Sequence, residues 1–133
     1  MRQRYAGEAS PEQLFDRRRP GGRILTLDGY PHRGQPIMLT EFGGIACAAT
    51  QEGEAGAWGY TMVGDVAGLA EKFAALMHTV IHTAMFSGFC YTQFADTFQE
   101  ANGLLTADRR PKLPLEEYAR ITTESRMHIR GGV

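Results

Sequence analysis

Two short apolar runs and two amphipathic segments dominate the hydrophobic pattern of the chain. The first run, residues 37–40 (IMLT), follows Pro36 and ends at Glu41, Phe42 and two glycines. A continuous apolar run of this length, stopped by paired glycines, is typical of a parallel strand that is covered on both faces. We therefore predict a buried strand that ends in the acid Glu41.

The most regular pattern is that of a helix following Asp65, which is placed to act as its N-cap. The residues predicted to line its buried stripe are Val66, Leu69, Phe73, Leu76, Met77, Val80, Ile81 and Ala84. Gly88 ends this segment, and the aromatic run 89–95 (FCYTQFA) predicts a second strand that finishes at Asp96. A last amphipathic helix is predicted from about residue 115 to 125.

The remaining segments are predicted to be mostly irregular. Residues 23–27 are assigned to a short strand that the Asp28–Gly29 turn ends, and residues 45–64 to a long loop. The chain is thus divided into a loop-rich leading segment (1–34), a region of βα units (35–126) and a frayed tail (127–133).

The order strand, loop, helix, strand, loop, helix describes two consecutive βα units, the repeating module of parallel α/β folds. A complete barrel of this kind takes roughly 250 residues. Neither strand is followed by a glycine-rich phosphate fingerprint, which argues against a doubly wound nucleotide-binding sheet. The predicted fold class is α/β, a partial (β/α)8 TIM barrel, whose open sheet edges should favour self-association.

Composition and charge limit the classes of partner that we expect for this chain. The 133 residues are 43% hydrophobic and carry a net charge of −1, so neither nucleic acid nor an anionic membrane is an expected partner. With two cysteines, a polar N-terminus and no apolar stretch of membrane-spanning length, we expect a cytoplasmic protein. His78 and His82 have metal-ligand spacing but lack the inner glutamate of a zinc protease motif, and we expect a solvated helix face, no metal and no cofactor.

Glu41 and Asp96 are the candidates for chemistry, because each closes a predicted strand. Side chains at the carboxyl ends of barrel strands converge on one pocket. Strand alternation puts Glu41 on the same face as Ile37 and Leu39, hence at the barrel mouth if those two fill the interior. A solvated acid at a strand end has the same pattern, so both interpretations stay open at this point.

Three ordered motifs carry a resemblance to a known family. They are residues 36–46 (PIMLTEFGGIA), 58–60 (WGY) and 88–112 (GFCYTQFADTFQEANGLLTADRRPK). Together they resemble the last two strands of the barrel in glycoside hydrolase family 2, which includes β-galactosidases and β-glucuronidases. The resemblance extends from about residue 35 to the last helix and implies that the region holds the last two βα units of the barrel.

The resemblance implies a retaining β-glycoside hydrolase in which Glu41 is the nucleophile. Such a carboxylate lies about 5 to 5.5 Å from a second carboxyl group, which acts as acid and base. In the family that residue follows an asparagine on an earlier strand, and the sequence contains no Asn-Glu pair. We therefore expect the acid/base residue to lie outside this chain, which by itself should hydrolyse aryl β-glycosides negligibly.

Four further residues are candidates for contact with a carbohydrate substrate. Trp58 and Tyr60 offer an apolar platform for a sugar face, or else pin their loop to the barrel rim. Gln93 and Asp96 offer hydrogen bonds. The alternative for Gln93 is packing inside the barrel, and the alternative for Asp96 is a helix N-cap or a loop-bracing role. For the cluster Arg109, Arg110 and Lys112, which Pro111 interrupts, the resemblance suggests a structural brace before the last helix, but we expect solvent-exposed charge. The alternative function is a non-catalytic carbohydrate-binding or assembly module built from a partial barrel.

Overall fold

The computed structural model describes Phe15 and residues 25–50 and 58–130, with side chains up to residue 123. Within these residues, four strands, one 3-10 turn and two long helices follow one another. They are β1 (Met38–Gly43), β2 (Ile45–Cys47), the turn Ala48–Thr50, β3 (Thr61–Val63), α1 (Val66–Ile81), β4 (Gly88–Thr92) and α2 (Leu115–Arg130). The prediction that residues 45–64 form a loop without strands was wrong, since this segment contains β2 and β3.

The strands form two parallel pairs. β1 pairs with β4, and β2 pairs with β3. β1, α1 and β4 therefore form one complete βα unit with a parallel return strand, and α2 follows β4. The described chain is a small α/β protein with short parallel strands rather than a closed barrel, so the α/β prediction is confirmed at this level.

Helix α1 begins and packs as its sequence predicts. The Asp65 side chain caps it by accepting a hydrogen bond of 2.7 Å from the Gly68 amide. Four residues of the predicted stripe, Leu69, Phe73, Met77 and Val80, are buried. Val66 at its first turn is 41% exposed and Ala84 lies beyond its end at Ile81, so the stripe is shorter than predicted at both ends.

The hydrophobic core lies between the helices and one face of the β1–β4 sheet. Its buried members are Phe42, Ile45, Cys47, Leu69, Phe73, Met77, Val80, Leu113, Tyr118 and Ile121. Phe73 contacts Tyr91 of β4 and Tyr118 of α2 edge-on, at ring-centroid distances of 5.4 and 5.0 Å. Aromatic side chains thus join the sheet to both helices.

The opposite face of the β1–β4 sheet is uncovered by the described residues. Met38, Thr40 and Glu41 of β1 and Cys90 of β4 are exposed, whereas Leu39, Phe42, Phe89 and Tyr91 pack in or against the core. Parallel sheets are usually covered on both faces, so this face lacks its usual second layer here. The expected self-association would involve this face and the open strand edges.

Several local predictions differ from the structure. Residues 25–27 form a bend rather than a strand, with Leu27 exposed; the preceding two residues of that predicted strand lie outside the described residues. Helix α2 continues to Arg130, past the predicted end, into the segment predicted to be a frayed tail. No helix in the described part of the chain has the length and apolar character that a membrane crossing requires.

The buried Tyr118 and the partly buried Tyr91 make the stability of the fold depend on pH in the alkaline range. Burial raises the pKa of Tyr91 to about 12, and burial together with the neighbouring Tyr91 raises the pKa of Tyr118 still further. Both groups favour the neutral phenol in the folded state. Their contribution to stability is therefore complete below the ordinary tyrosine pKa of about 10 and is lost as the pH rises toward the folded values.

We expect the urea midpoint of unfolding to fall steeply above about pH 10. In Tyr118→Phe, which keeps the buried ring, this fall should be shallower, because one titrating phenol is gone. Urea denaturation followed by circular dichroism across this pH range measures both slopes. Equal slopes for the two proteins would contradict the role assigned to Tyr118.

Candidate functional site

Glu41 lies in a bulge of the β1–β4 pair. Leu39 is opposite Phe89 and Phe42 is opposite Tyr91, so Thr40 and Glu41 together face the single residue Cys90. The extra residue breaks the alternation of β1. The prediction that Glu41 shares a face with Leu39 was therefore wrong: Leu39 packs against the helix-side core, whereas Glu41 is exposed.

The bulge gives Glu41 an open environment at the carboxyl end of a parallel strand. Its side chain makes no hydrogen bond or ion pair with any described residue and is exposed on the sheet. Bulges are frequent beside active sites, where they redirect a side chain. The carboxylate is thus accessible for chemistry.

The two glycines after Glu41 allow close packing at this strand end. Gly43 has φ of 129°, and a Cβ there would lie 2.5 Å from the Thr92 carbonyl oxygen and 2.7 Å from the Tyr91 ring. A Cβ on Gly44 would overlap the ring of Tyr60. A residue with a side chain does not fit either position. The Tyr60 ring packs against Gly44, which follows Glu41 closely in the sequence.

Trp58 and Tyr60 form an aromatic pair, with their rings edge-on at 5.8 Å. Tyr60 is 78% and Trp58 is 44% exposed. The backbone of Trp58 is tied to the loop after β4, because its N–H donates to Gln99 O at 2.9 Å and its carbonyl accepts from Ala101 N at 3.0 Å. Trp58 therefore braces the loop after β4, and together with Tyr60 it also forms an exposed aromatic surface.

Gln93 organises the loop that follows β4. Its Nε2 donates to the Glu100 carbonyl at 3.1 Å and to Thr97 Oγ1 at 3.3 Å. The Glu100 carboxylate in turn accepts a hydrogen bond of 3.1 Å from Asn102 Nδ2. The Oδ1 atom of Asn102 is buried and has no hydrogen-bond partner among the described residues. A donor from a bound molecule would satisfy this oxygen.

Asp96 is a structural brace in the described chain. Its Oδ1 accepts 2.7 Å hydrogen bonds from Lys112 Nζ and from the Gly103 amide. The side chain of Lys112 is fully buried, and its Nζ also donates to Ala101 O at 3.0 Å. The expectation that Lys112 is solvent-exposed was wrong, since Asp96 and this carbonyl offset the cost of burying the ammonium group. Arg109 and Arg110 are exposed as expected.

Two exposed phenylalanines in the same loop were not identified from the sequence. Phe94 is 68% and Phe98 is 86% exposed. Phe98 has φ of 48°, a left-handed conformation that costs a bulky residue roughly 1–2 kcal/mol. The available signal was an aromatic residue in the middle of the polar stretch TFQE, which lies in a predicted loop.

Other features lie apart from this region. A cleft of about 390 Å³, lined in part by Tyr30, His32 and Ile37, lies at the amino end of β1, the opposite end from Glu41. His78 and His82 stack on the exposed surface of α1. Among the described residues, no three His, Cys, Asp or Glu side chains are grouped so as to hold a metal ion.

The candidate residues lie within β1, just before β3 and just after β4. Glu41 precedes the glycines on which Tyr60 rests, Tyr60 contacts Trp58, and Trp58 is hydrogen-bonded to the loop that Gln93 holds. Asp96 is in this loop but is engaged with Lys112. Comparisons of the chain with models of known protein families and with curated proteins found no match.

Proposed function

We propose that this chain is the nucleophile-bearing part of a retaining β-glycoside hydrolase, comprising the last two βα units of a TIM barrel. The observation that carries the proposal is the position of Glu41. Its carboxylate, which has no partner among the described residues, lies in a bulge at the carboxyl end of a parallel strand, on the sheet face that these residues leave uncovered. The resemblance of the residues around Glu41 to motifs of family 2 supports the same chemistry.

In the proposed reaction, a Glu41 oxygen attacks the anomeric carbon of the β-glycoside and the bond to the leaving oxygen breaks. The leaving oxygen takes a proton from an acid, and a covalent glycosyl ester remains on Glu41. Water then attacks the same carbon, gives its proton to the conjugate base of that acid and releases the carboxylate. Tyr60 and Trp58 supply aromatic surface for a sugar face.

The acid is proposed to come from outside this chain. Asp96 is tied to Lys112, and Glu100 accepts from Asn102, so both nearby acids already have structural partners. Both also belong to the loop after β4, whereas the family resemblance puts the acid on an earlier strand. The uncovered sheet face is where earlier strands of a barrel would complete the site.

Covalent trapping tests the role of Glu41 without the missing acid. A 2,4-dinitrophenyl 2-deoxy-2-fluoro-β-glycoside carries a leaving group that departs as a phenolate and needs no proton, and the fluorine slows hydrolysis of the ester. We expect mass spectrometry to find one glycosyl label, on the peptide that contains Glu41, with the galactoside or the glucoside reagent. Glu41→Gln should remove the label.

The matched control is Glu71→Gln, which changes an exposed glutamate on α1 and should leave labelling unchanged. A label on another residue, a label that persists in Glu41→Gln, or no label with either reagent would contradict the nucleophile assignment. Substrates with poor leaving groups test the acid separately: we expect negligible hydrolysis of phenyl β-glycosides by the chain. Turnover that Glu41→Gln abolishes would show that the acid is within it.

The exposed aromatic residues favour one alternative, a carbohydrate-binding module without turnover. Tyr60, Phe94 and Phe98 present rings to solvent whether or not Glu41 reacts. Such a module would bind glycosides equally well in the wild-type chain and in Glu41→Gln, and neither protein would be labelled by the fluorinated reagent.

A further inference from the structure

We propose that His78 and His82 chelate one divalent transition-metal ion of the zinc class, through Nε2 of His82 and a ring nitrogen of His78, with water at the remaining coordination positions. This inference goes beyond the proposed function, since it concerns the exposed surface of α1 and does not depend on Glu41. It is carried by the stacking of the two rings and by a hydrogen bond that determines which nitrogen of His82 carries a proton.

The two imidazole rings lie side by side on α1. Residues four apart in a helix are neighbours on its surface, and both of these side chains are exposed. The ring centroids are 4.1 Å apart and the ring planes differ by 25°. Two bonds from a zinc ion to imidazole nitrogens, each about 2.0–2.1 Å long, together span at most about 4.2 Å. Both rings are therefore within reach of a single ion.

A hydrogen bond selects the tautomer of His82 that can bind a metal through Nε2. The Nδ1 atom lies 2.8 Å from the carbonyl oxygen of His78, and because a carbonyl oxygen only accepts, Nδ1 carries the proton. In the neutral imidazole the free lone pair is then on Nε2. Histidines that ligate metals usually donate their other ring N–H to a backbone carbonyl or a carboxylate. The structure thus supplies both the ligand and the group that orients it.

The end of α1 is a favourable place for a cation. His82 is the C-cap residue, and its amide also donates to the His78 carbonyl, at 3.1 Å. The carbonyl groups of the last turn put partial negative charge at this end of a helix, which stabilises bound positive charge. The His78 ring makes no hydrogen bond or ion pair with a described residue, so a nitrogen of this ring is free to bind a metal.

The chemistry of the pair selects the class of metal. Imidazole nitrogen is a preferred ligand of Zn²⁺, Cu²⁺ and Ni²⁺, whereas Mg²⁺ and Ca²⁺ require oxygen ligands. Among the described residues, no third side chain of a usual ligand type completes the group. The three residues between the histidines (TVI) also lack the glutamate that acts as general base in zinc proteases. Two protein ligands without this base suit reversible binding of an ion rather than hydrolysis.

Titration of the whole chain with ZnCl₂ or MgCl₂, followed by calorimetry and by NMR of the imidazole protons, tests this inference. We expect Zn²⁺ to shift the signals of His78 and His82 together, with saturation at one ion per chain, and Mg²⁺ to shift neither. His78→Ala and His82→Ala should each weaken Zn²⁺ binding by about tenfold or more, because each removes one ligand. Zn²⁺ should raise the thermal midpoint of the wild type, and both variants should lose this rise.

Two control variants separate chelation from the presence of histidine alone. His78→Ala/Ala75→His keeps two exposed histidines on α1 but puts them seven residues apart, about 10 Å along the axis, so it should bind Zn²⁺ no better than His78→Ala. His32→Ala removes a histidine outside this helix and should leave the affinity unchanged. The inference is overturned if Zn²⁺ does not shift both rings, if Mg²⁺ shifts them equally, if either single variant keeps the wild-type affinity, or if the relocated pair binds as tightly as the wild type.

Discussion

Replacement of Asp96 by asparagine is expected to lower the free energy of unfolding by about 3–5 kcal/mol. The substitution keeps the shape of the side chain but removes the charge that faces the Lys112 ammonium group, whose side chain is fully buried. A buried ammonium group without its counter-charge is strongly destabilising, because it has lost hydration without full compensation. Urea denaturation followed by tryptophan fluorescence and circular dichroism measures the change.

The control is the Arg110–Asp108 pair in the same loop region, whose side chains are 64% and 56% exposed. Asp108→Asn removes the same charge in water and should change stability far less. The double variant Asp96→Asn/Lys112→Met should be more stable than the two single losses predict together, because it removes both buried charges. Equal small effects of Asp96→Asn and Asp108→Asn would contradict the structural role of the buried pair.

Phe73→Ala is expected to be about equally destabilising, by roughly 3–5 kcal/mol. Phe73 is 2% exposed, and its ring packs on Tyr91 of β4 and Tyr118 of α2. Truncation leaves a cavity at the junction of the sheet and both helices. Domains of this size have total stabilities of about 5–15 kcal/mol, so the variant should melt far below the wild type.

Val66→Ala is the matched control, since Val66 lies on the same helix and is 41% exposed. Its truncation removes less buried surface and should shift the thermal midpoint only slightly. A thermal midpoint of Phe73→Ala close to that of Val66→Ala would mean that α1 does not depend on this aromatic junction.

The sequence predicted the elements that local patterns encode. The stripe of α1 and its Asp65 cap were predicted because helical spacing and capping act within a few residues. The parallel relation of β1 and β4 followed from the helix between them, since a helical crossover returns the chain in the same direction.

The misses depend on contacts between distant residues. Lys112 can be buried because it pairs with Asp96, sixteen residues earlier, and no local pattern predicts that pairing. β2 and β3 are only three residues each, and their pairing bridges a segment rich in glycine. Strands this short form because they are hydrogen-bonded to a partner that is distant in the sequence, and their own composition does not predict that partner.

At the candidate site, too, the position of a residue in a local pattern was predicted, but its surroundings in the fold were not. Glu41 was identified from its place at the end of an apolar run, but its face was predicted wrongly because strict alternation takes no account of a bulge. Phe98 was missed because its exposure and its left-handed backbone follow from the turn between Thr97 and Glu100. The sequence thus identified the residue types at the site, but it did not predict the sheet face of Glu41 or the exposure of Phe98.

The bulge has a consequence for how this site tolerates genetic change. With two residues of β1 opposite Cys90, the direction of the Glu41 side chain is set by the number of residues between Leu39 and Phe42. Loss of one codon there would remove the bulge and leave a single residue opposite Cys90, so that the acid would be presented from a regular strand. Point substitutions at Thr40, an exposed position, leave that spacing intact. Over evolutionary time, this stretch should therefore accept replacements more readily than insertions or deletions.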